Sequence, residues 1–262
     1  YHCRSHYVSK ELEMSETNSK KKRNLPATGS GAMFDNLAPR YDLLNRLMSF
    51  GVDKRWRKRT VRSLQLQPGD KVLDLATGTG DLAISMAKKH PGVTVVGVDP
   101  SVKMLEVGRT KITKSGLTER IEMREGIGEE LPFEDNTFNA VTIAFGIRNC
   151  TDRPQAVREM KRVTKPGGRI GILELGEPRK GFMAPVARFH IHQVVPRLGA
   201  WLSGAREYRY LQESIEAFPP SEEFAATMTE CGLNMLEVVQ FSFGSCHLYL
   251  AEVPKDEGQV AN

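Results

Sequence analysis

Two glycines and two aspartates mark where this chain can do chemistry. Gly78 and Gly80 lie in Ala76-Thr-Gly-Thr-Gly-Asp81, directly after the apolar run Lys71–Leu75 and ahead of a helical pattern that runs through Lys89. Lacking Cβ atoms, they let the backbone turn tightly and approach a ligand closely. Asp74 stands near the end of the first run, and Asp99 closes the second, Val93–Val98, 19 residues beyond Gly80. A carboxylate there can accept hydrogen bonds from both hydroxyls of a ribose. This layout suits a nicotinamide dinucleotide or S-adenosylmethionine. Two features favour the second. Ala76 occupies the place of the dinucleotide fingerprint's first glycine, and acidic Asp81 opens the helix where a pyrophosphate would sit and be repelled. S-adenosylmethionine carries a sulfonium and an ammonium and no phosphate, so it tolerates nearby carboxylates.

These residues need a scaffold, and the hydrophobic periods supply one. Phe34, Leu37, Tyr41, Leu44, Leu47 and Met48 recur every three or four residues, predicting helix from Met33 to Ser63. Beyond it, short apolar runs alternate with helical stretches. Strands are expected at Lys71–Leu75, Val93–Val98, Ile121–Glu125, Ala140–Ala144, Gly168–Glu174, Met235–Phe241 and His247–Ala251. Helices fall between them, notably Lys103–Ser115 and Arg153–Val163. That alternation predicts an α/β, Rossmann-like domain: a mostly parallel seven-stranded sheet with helices on both faces. Its ligands bind beyond the carboxyl ends of the strands.

Composition narrows the class. The 262 residues are 40% hydrophobic and 26% charged, ordinary for a globular chain, and hold no apolar run of the ~20 residues that span a bilayer. Residues 1–30 read as a polar, disordered leader in which Met14 is a plausible start, 31–253 as the domain with a helical insert near 180–215, and 254–262 as a tail. Much of the net charge of +5 sits in Lys20-Lys-Lys-Arg23 of the leader, so no nucleic-acid partner is expected. The four cysteines, Cys3, Cys150, Cys231 and Cys246, form no CxxC pair and fit a reducing compartment. His190 and His192 are spaced by two without a Cys or carboxylate partner, so no metal site is expected.

Further blocks carry a family resemblance. Glu129-Glu-Leu-Pro-Phe133, Asp135-Asn-Thr-Phe138 and Arg162-Val-Thr-Lys-Pro-Gly-Gly168 follow in the order found in class I S-adenosylmethionine-dependent methyltransferases. The segment Phe34–Gly51 with Trp56, the block Ala144-Phe-Gly-Ile-Arg-Asn149 with Thr151-Asp152, and Tyr208–Ile215 with Phe218-Pro219 together resemble the ubiquinone/menaquinone biosynthesis C-methyltransferase family. The resemblance runs from about residue 33 to 253.

It implies an enzyme that uses S-adenosyl-L-methionine to methylate a ring carbon of a polyprenylated quinol, either demethylmenaquinol or the benzoquinol precursor of ubiquinone. Another small-molecule acceptor or a non-catalytic quinol-binding subunit are the other readings. Carried onto this chain, the cofactor falls to Asp74, Ala76, Thr77, Gly78, Thr79, Gly80, Asp99, Pro100, Ile127, Gly128 and Ala144. Family members often have Asn or Asp where this chain has Ile127, so adenine is expected to be read by backbone groups. Arg148 is the expected oxyanion holder, since its guanidinium is too weak an acid to act as a base, with Asn149 fixing the adjacent oxygen. Tyr41, Tyr208, Arg209 and Tyr210 are expected to wall the quinol pocket. The resemblance further implies a cytoplasmic protein peripheral to a membrane, and a homodimer or biosynthetic complex; an organelle matrix is the alternative if the Ser- and Lys-bearing leader is a transit peptide.

Overall fold

A computed structural model describes residues 34–35, 38, 41–49, 51–177 and 205–255. The expected leader, residues 178–204 of the insert, and residues 256–262 of the tail lie outside the described residues. Seven strands form one sheet: β1 (Lys71–Leu75), β2 (Thr94–Asp99), β3 (Ile121–Glu125), β4 (Phe138–Ala144), β5 (Thr164–Leu175), β6 (Asn234–Phe241) and β7 (Cys246–Glu252). Their order is β3-β2-β1-β4-β5-β7-β6. Strand β7 runs antiparallel to both its neighbours, and the other pairings are parallel. Strand order reverses between β1 and β4, so a crevice opens beyond their carboxyl ends.

The helices are α1 (Tyr41–Met48), α2 (Asp53–Ser63), α3 (Asp81–Lys89), α4 (Val102–Lys114), α5 (Arg153–Val163), α6 (Ala205–Glu216) and α7 (Ser221–Glu230). Two apolar clusters show why the sheet is covered on both faces. Val72, Val95 and Ala140 pack with Leu82, Leu105 and Ile112 of α3 and α4. Leu73, Val96 and Val141 point the other way, onto Val157, Met160 and Phe224 of α5 and α7. Alternate residues of each central strand are thus buried on opposite faces, which is why these strands read as continuous apolar runs. Local chemistry starts the helices where they are seen. The Ser101 hydroxyl accepts from Met104 N at 3.2 Å to cap α4, and Asp152 Oδ1 accepts from Gln155 N at 2.9 Å to cap α5.

Two boundaries differ from the periodic pattern by more than two residues. The helical stretch expected over 33–63 breaks at Ser49–Val52, where Gly51 has φ of 74°, so α1 and α2 are separate helices with separate jobs. Strand β5 starts at Thr164 rather than at Gly168. Its register against β4 shifts between Phe138 and Ala140, and that irregularity takes up Lys165–Gly168. Among the described residues no helix is long and apolar enough to cross a membrane.

Candidate active site

The turn after β1 is built before anything binds it. The Asp74 carboxylate, 1% exposed, accepts from Thr77 Oγ1 at 2.7 Å and from Thr142 Oγ1 of β4 at 2.9 Å. Burial lifts its pKa to about 6 against the pull of those hydroxyls. Thr77 N donates to Val98 O at 3.0 Å, lashing the turn to β2. Gly97 of β2 must be glycine for this: a Cβ there would come within 2.9 Å of the Thr77 side chain. Asp99 then receives the turn. Its Oδ2 accepts from Gly78 N at 2.8 Å and its Oδ1 from Ser101 N at 2.9 Å. Burial raises the Asp99 pKa to about 6, with the two backbone donors pulling it back down and Asp74 and Asp35 adding to the rise.

A cavity of about 420 Å³ opens over this turn, within the range of small-molecule sites. Gly78, Asp99 and Pro100 line one end, Ile127, Gly128 and Glu129 a side, and Phe145, Gly146 and Asn149 the β4 end, with Phe34 and Tyr41 closing over. Ala76 and Phe145 line it too, and both hold left-handed backbone, with φ of 48° and 60°. Strain of this kind in non-glycine residues, at the ends of two adjacent strands, is what a site under functional constraint shows. It is held in place by neighbours: Phe145 N donates to Leu173 O at 2.7 Å.

Of the expected cofactor residues, Ala76, Gly78, Asp99, Pro100, Ile127 and Gly128 line the cavity. Asp74, Thr77, Thr79, Gly80 and Ala144 stand behind it. The first two shape the turn, Gly80 is the left-handed cap of α3 with φ of 78°, and Thr79 bonds outward to α1. Ala144 packs among the apolar residues at the end of β4.

Arg148 and Asn149 were expected to face the substrate together, and the structure separates them. Asn149 lines the cavity; Arg148, 5% exposed, is not among its lining residues. The Arg148 guanidinium is committed elsewhere. Its Nη1 donates to Glu174 Oε1 and to Phe145 O, both at 2.6 Å, and its Nε to Ser214 Oγ at 3.3 Å. From inside the wall it ties the carbonyl of strained Phe145 to Glu174 of β5. Sequence reasoning missed its partner Glu174, fully buried in β5. The signal was present: a lone acid at the end of Ile170-Gly-Ile-Leu-Glu174 must find a cation if buried.

The expected quinol wall is divided as well. Tyr41 lines the cavity, while Tyr210 of α6 stands one layer back and donates its hydroxyl to Asn149 Oδ1 at 3.2 Å. Arg209 is exposed, and the side chain of Tyr208 lies outside the described residues. With its Oδ1 engaged, Asn149 is left with its NH2 as the group to offer a ligand, a donor suited to an oxyanion. Cys150 also lines the cavity, but burial pushes its thiol up to about 12, so it is no nucleophile at neutral pH.

The lining tests the cofactor by charge. Asp99, Glu129 and Asp152 contribute three carboxyl groups, and no Lys or Arg is among the described lining residues. Such a lining favours a cationic ligand and disfavours a pyrophosphate. The Asp99 carboxylate, the open backbone at Gly78 and Gly126–Gly128, and apolar Ile127 fit a nucleoside bearing a sulfonium.

A family model described as the ubiE/COQ5 methyltransferase family matches residues 17–252. The chain belongs to that family. It is 45% identical over 221 residues to the ubiquinone/menaquinone biosynthesis C-methyltransferase UbiE of Geobacter sulfurreducens, covering 84% of this chain and 86% of that one. It is also 45% identical over 218 residues to the demethylmenaquinone methyltransferase of Thermus thermophilus, covering 82% and 98%. Among solved structures it resembles the [4+2]-cyclase SpnF, with a TM-score of 0.67 at 17% identity over 86% of this chain and 96% of that one. An S-adenosylmethionine-dependent methyltransferase from Aquifex aeolicus matches with a TM-score of 0.55 at 20% identity, over 75% and 89%. The structural likenesses speak for the class I methyltransferase fold, which by itself does not fix a reaction. Family membership does: the chain is an S-adenosylmethionine-dependent C-methyltransferase.

Proposed function

We propose that this enzyme methylates a ring carbon of a polyprenylated quinol, with demethylmenaquinol as the favoured acceptor and the benzoquinol precursor of ubiquinone as the other. The observation that carries the reading is the make-up of the cavity: carboxylates from Asp99, Glu129 and Asp152, the Asn149 side chain and apolar Phe145 and Ile143, with no Lys or Arg among the described lining residues. When bound, S-adenosylmethionine supplies an electrophilic methyl on a positively charged sulfur.

The residues of the chain supply the rest. Asp99 would hold the ribose and so help align the methyl with the acceptor; alignment of this kind accounts for much of the rate in bimolecular transfers. Asn149, held by Tyr210, donates to the quinol oxygen. As that oxygen gave up its proton to water, density would move onto the neighbouring ring carbon, which would take the methyl as the methyl–sulfur bond breaks and a neutral thioether leaves; loss of the ring-carbon proton to water and return of a proton to the oxygen would restore the quinol. Phe145 flanks the flat ring and, with Tyr41 and Phe34 over the cofactor end, keeps water from the reacting atoms. A polyprenyl chain is a bilayer solute, so the same reading places the enzyme at a membrane surface while it turns over.

The test is incubation with methyl-labelled S-adenosylmethionine and short-chain demethylmenaquinol or benzoquinol, each reduced. Label on ring carbon with either supports the reading, and the faster acceptor decides the branch. Label on oxygen, or on neither acceptor, overturns it.

A further inference from the structure

The N-terminal segment does more than close the cavity: it is fastened there, at one cation. Helix α1 places Tyr41 in the cavity wall and, next to it, Asp42. Asp42 Oδ1 accepts from Thr79 Oγ1 at 2.6 Å, and Asp42 Oδ2 accepts from Lys111 Nζ at 2.7 Å. Lys111, on α4, also donates to Thr79 Oγ1 at 2.9 Å and to the Asp81 carboxylate at the start of α3. One ammonium thus joins three elements: the cap helix, the turn that carries Gly78, and the helix behind that turn. A second tie lies seven residues upstream of Asp42, where Asp35 Oδ1 accepts from Ser101 Oγ at 2.6 Å and Lys103 N at 3.2 Å, just past Asp99. Phe34 and Tyr41 pack edge to face at 5.9 Å between these ties, and both line the cavity.

We infer that Lys111 is a positioning residue that latches helix α1 (Tyr41–Met48) over the cofactor end of the cavity and so sets how long the bound cofactor stays. This rests on the methyltransferase reading of the cavity. The physical reason lies in the charge count. Asp42 and Asp81 both face Lys111, with side chains 25% and 29% exposed, so screening by water is partial. With the ammonium in place, each carboxylate has a partner. Without it, two like charges are left close together, one on the cap and one on the body, and they push α1 off the turn. The latch therefore has a sign that simple loss of a hydrogen bond lacks: removing the charge of Asp42 as well should relieve the push.

The experiment uses the full chain and S-adenosylmethionine itself. Stopped-flow displacement measures cofactor release, and hydrogen exchange measures protection of the α1 amides in the unliganded protein. For Lys111→Met, release should quicken on the order of tenfold and α1 protection should fall, while the association rate changes less. For Asp42→Asn/Lys111→Met, release should return to within roughly threefold of the unsubstituted chain, because the repelling pair is gone. Binding that is unaltered in Lys111→Met, with α1 as protected as before, overturns the latch while leaving the cofactor site intact. A double variant that releases faster than Lys111→Met also overturns it, since the repulsion would then play no part. An unsubstituted chain that binds no S-adenosylmethionine overturns the reading of the cavity and the latch with it.

Discussion

The buried pair Arg148–Glu174 allows the sharpest test of how this site is held. The two side chains are 5% and 0% exposed and meet at 2.6 Å. Glu174 is further satisfied by Arg148 N at 3.1 Å and Leu175 N at 2.7 Å, and Arg148 by Phe145 O and Ser214. Arg148→Met deletes the cation and leaves the carboxylate buried with backbone donors only. Glu174→Leu leaves the guanidinium buried on neutral acceptors and orphans two backbone N–H groups. Breaking a buried pair from one side costs about 3–5 kcal/mol, which in a domain of this size lowers Tm by roughly 6–20 °C. Replacing both partners by apolar groups removes the stranded charge, so Arg148→Met/Glu174→Leu should lose clearly less than the sum of the two singles. Thermal unfolding followed by circular dichroism gives the cycle, and calorimetric titration with S-adenosylmethionine shows how far the Phe145–Asn149 turn has moved. Single variants that melt within about 2 °C of the unsubstituted chain, or effects that simply add, would refute the claim that Arg148 acts from behind the wall. Loss of turnover with stability intact would return Arg148 to the oxyanion role expected for it from sequence.

Three other outcomes follow from the same geometry. Gly146→Ala should weaken cofactor binding through a shift of about 1–3 kcal/mol, because its methyl collides with the Cβ of Ala76 and comes within 3.1 Å of Ile143 Cδ1. Adding Ala76→Gly should restore much of the binding in a calorimetric titration, and no restoration would show that the collision is not the cause. Asp99→Asn should cost about 1.5–3 kcal/mol of S-adenosylmethionine affinity, on the order of 10- to 150-fold. The unliganded Asp99 carboxyl titrates at about 6, above its ordinary range, so it is charged above that pH and takes up a proton below it. A protonated group accepts less well from ribose hydroxyls, so affinity should be flat from pH 8 to 7 and fall as pH drops through about 6, a step that should shrink in Asp99→Asn, where Asp74, also lifted to about 6, is the carboxyl left behind the turn. Tyr210→Phe frees Asn149 Oδ1 and should lower kcat roughly 2- to 10-fold with cofactor affinity unchanged; an equal loss of affinity would place Tyr210 in the cofactor site instead.

Much of this was written into the chain locally. Alternating apolar periods dictated strands and helices in an order that permits little but a doubly wound sheet, and Gly78, Gly80 and Asp99 announced a nucleoside crevice, because turn geometry and strand ends are decided over a few residues. Two of the carboxylates that face the cavity also stand in motifs that can be read directly, Asp99 at the end of β2 and Asp152 as the cap of α5. What the sequence could not divulge were relations between distant residues. Whether Arg148 or its neighbour Asn149 faces the ligand depends on a one-residue turn of the chain and on Glu174, 26 positions away. Whether Asp42 caps a surface helix or fastens it depends on Lys111, 69 positions away. Periodicity marks which face of an element is buried, but a charge buried or bridged at long range is settled only when the sheet brings its partner alongside, since the interaction fades within a Debye length and means nothing until the two are adjacent.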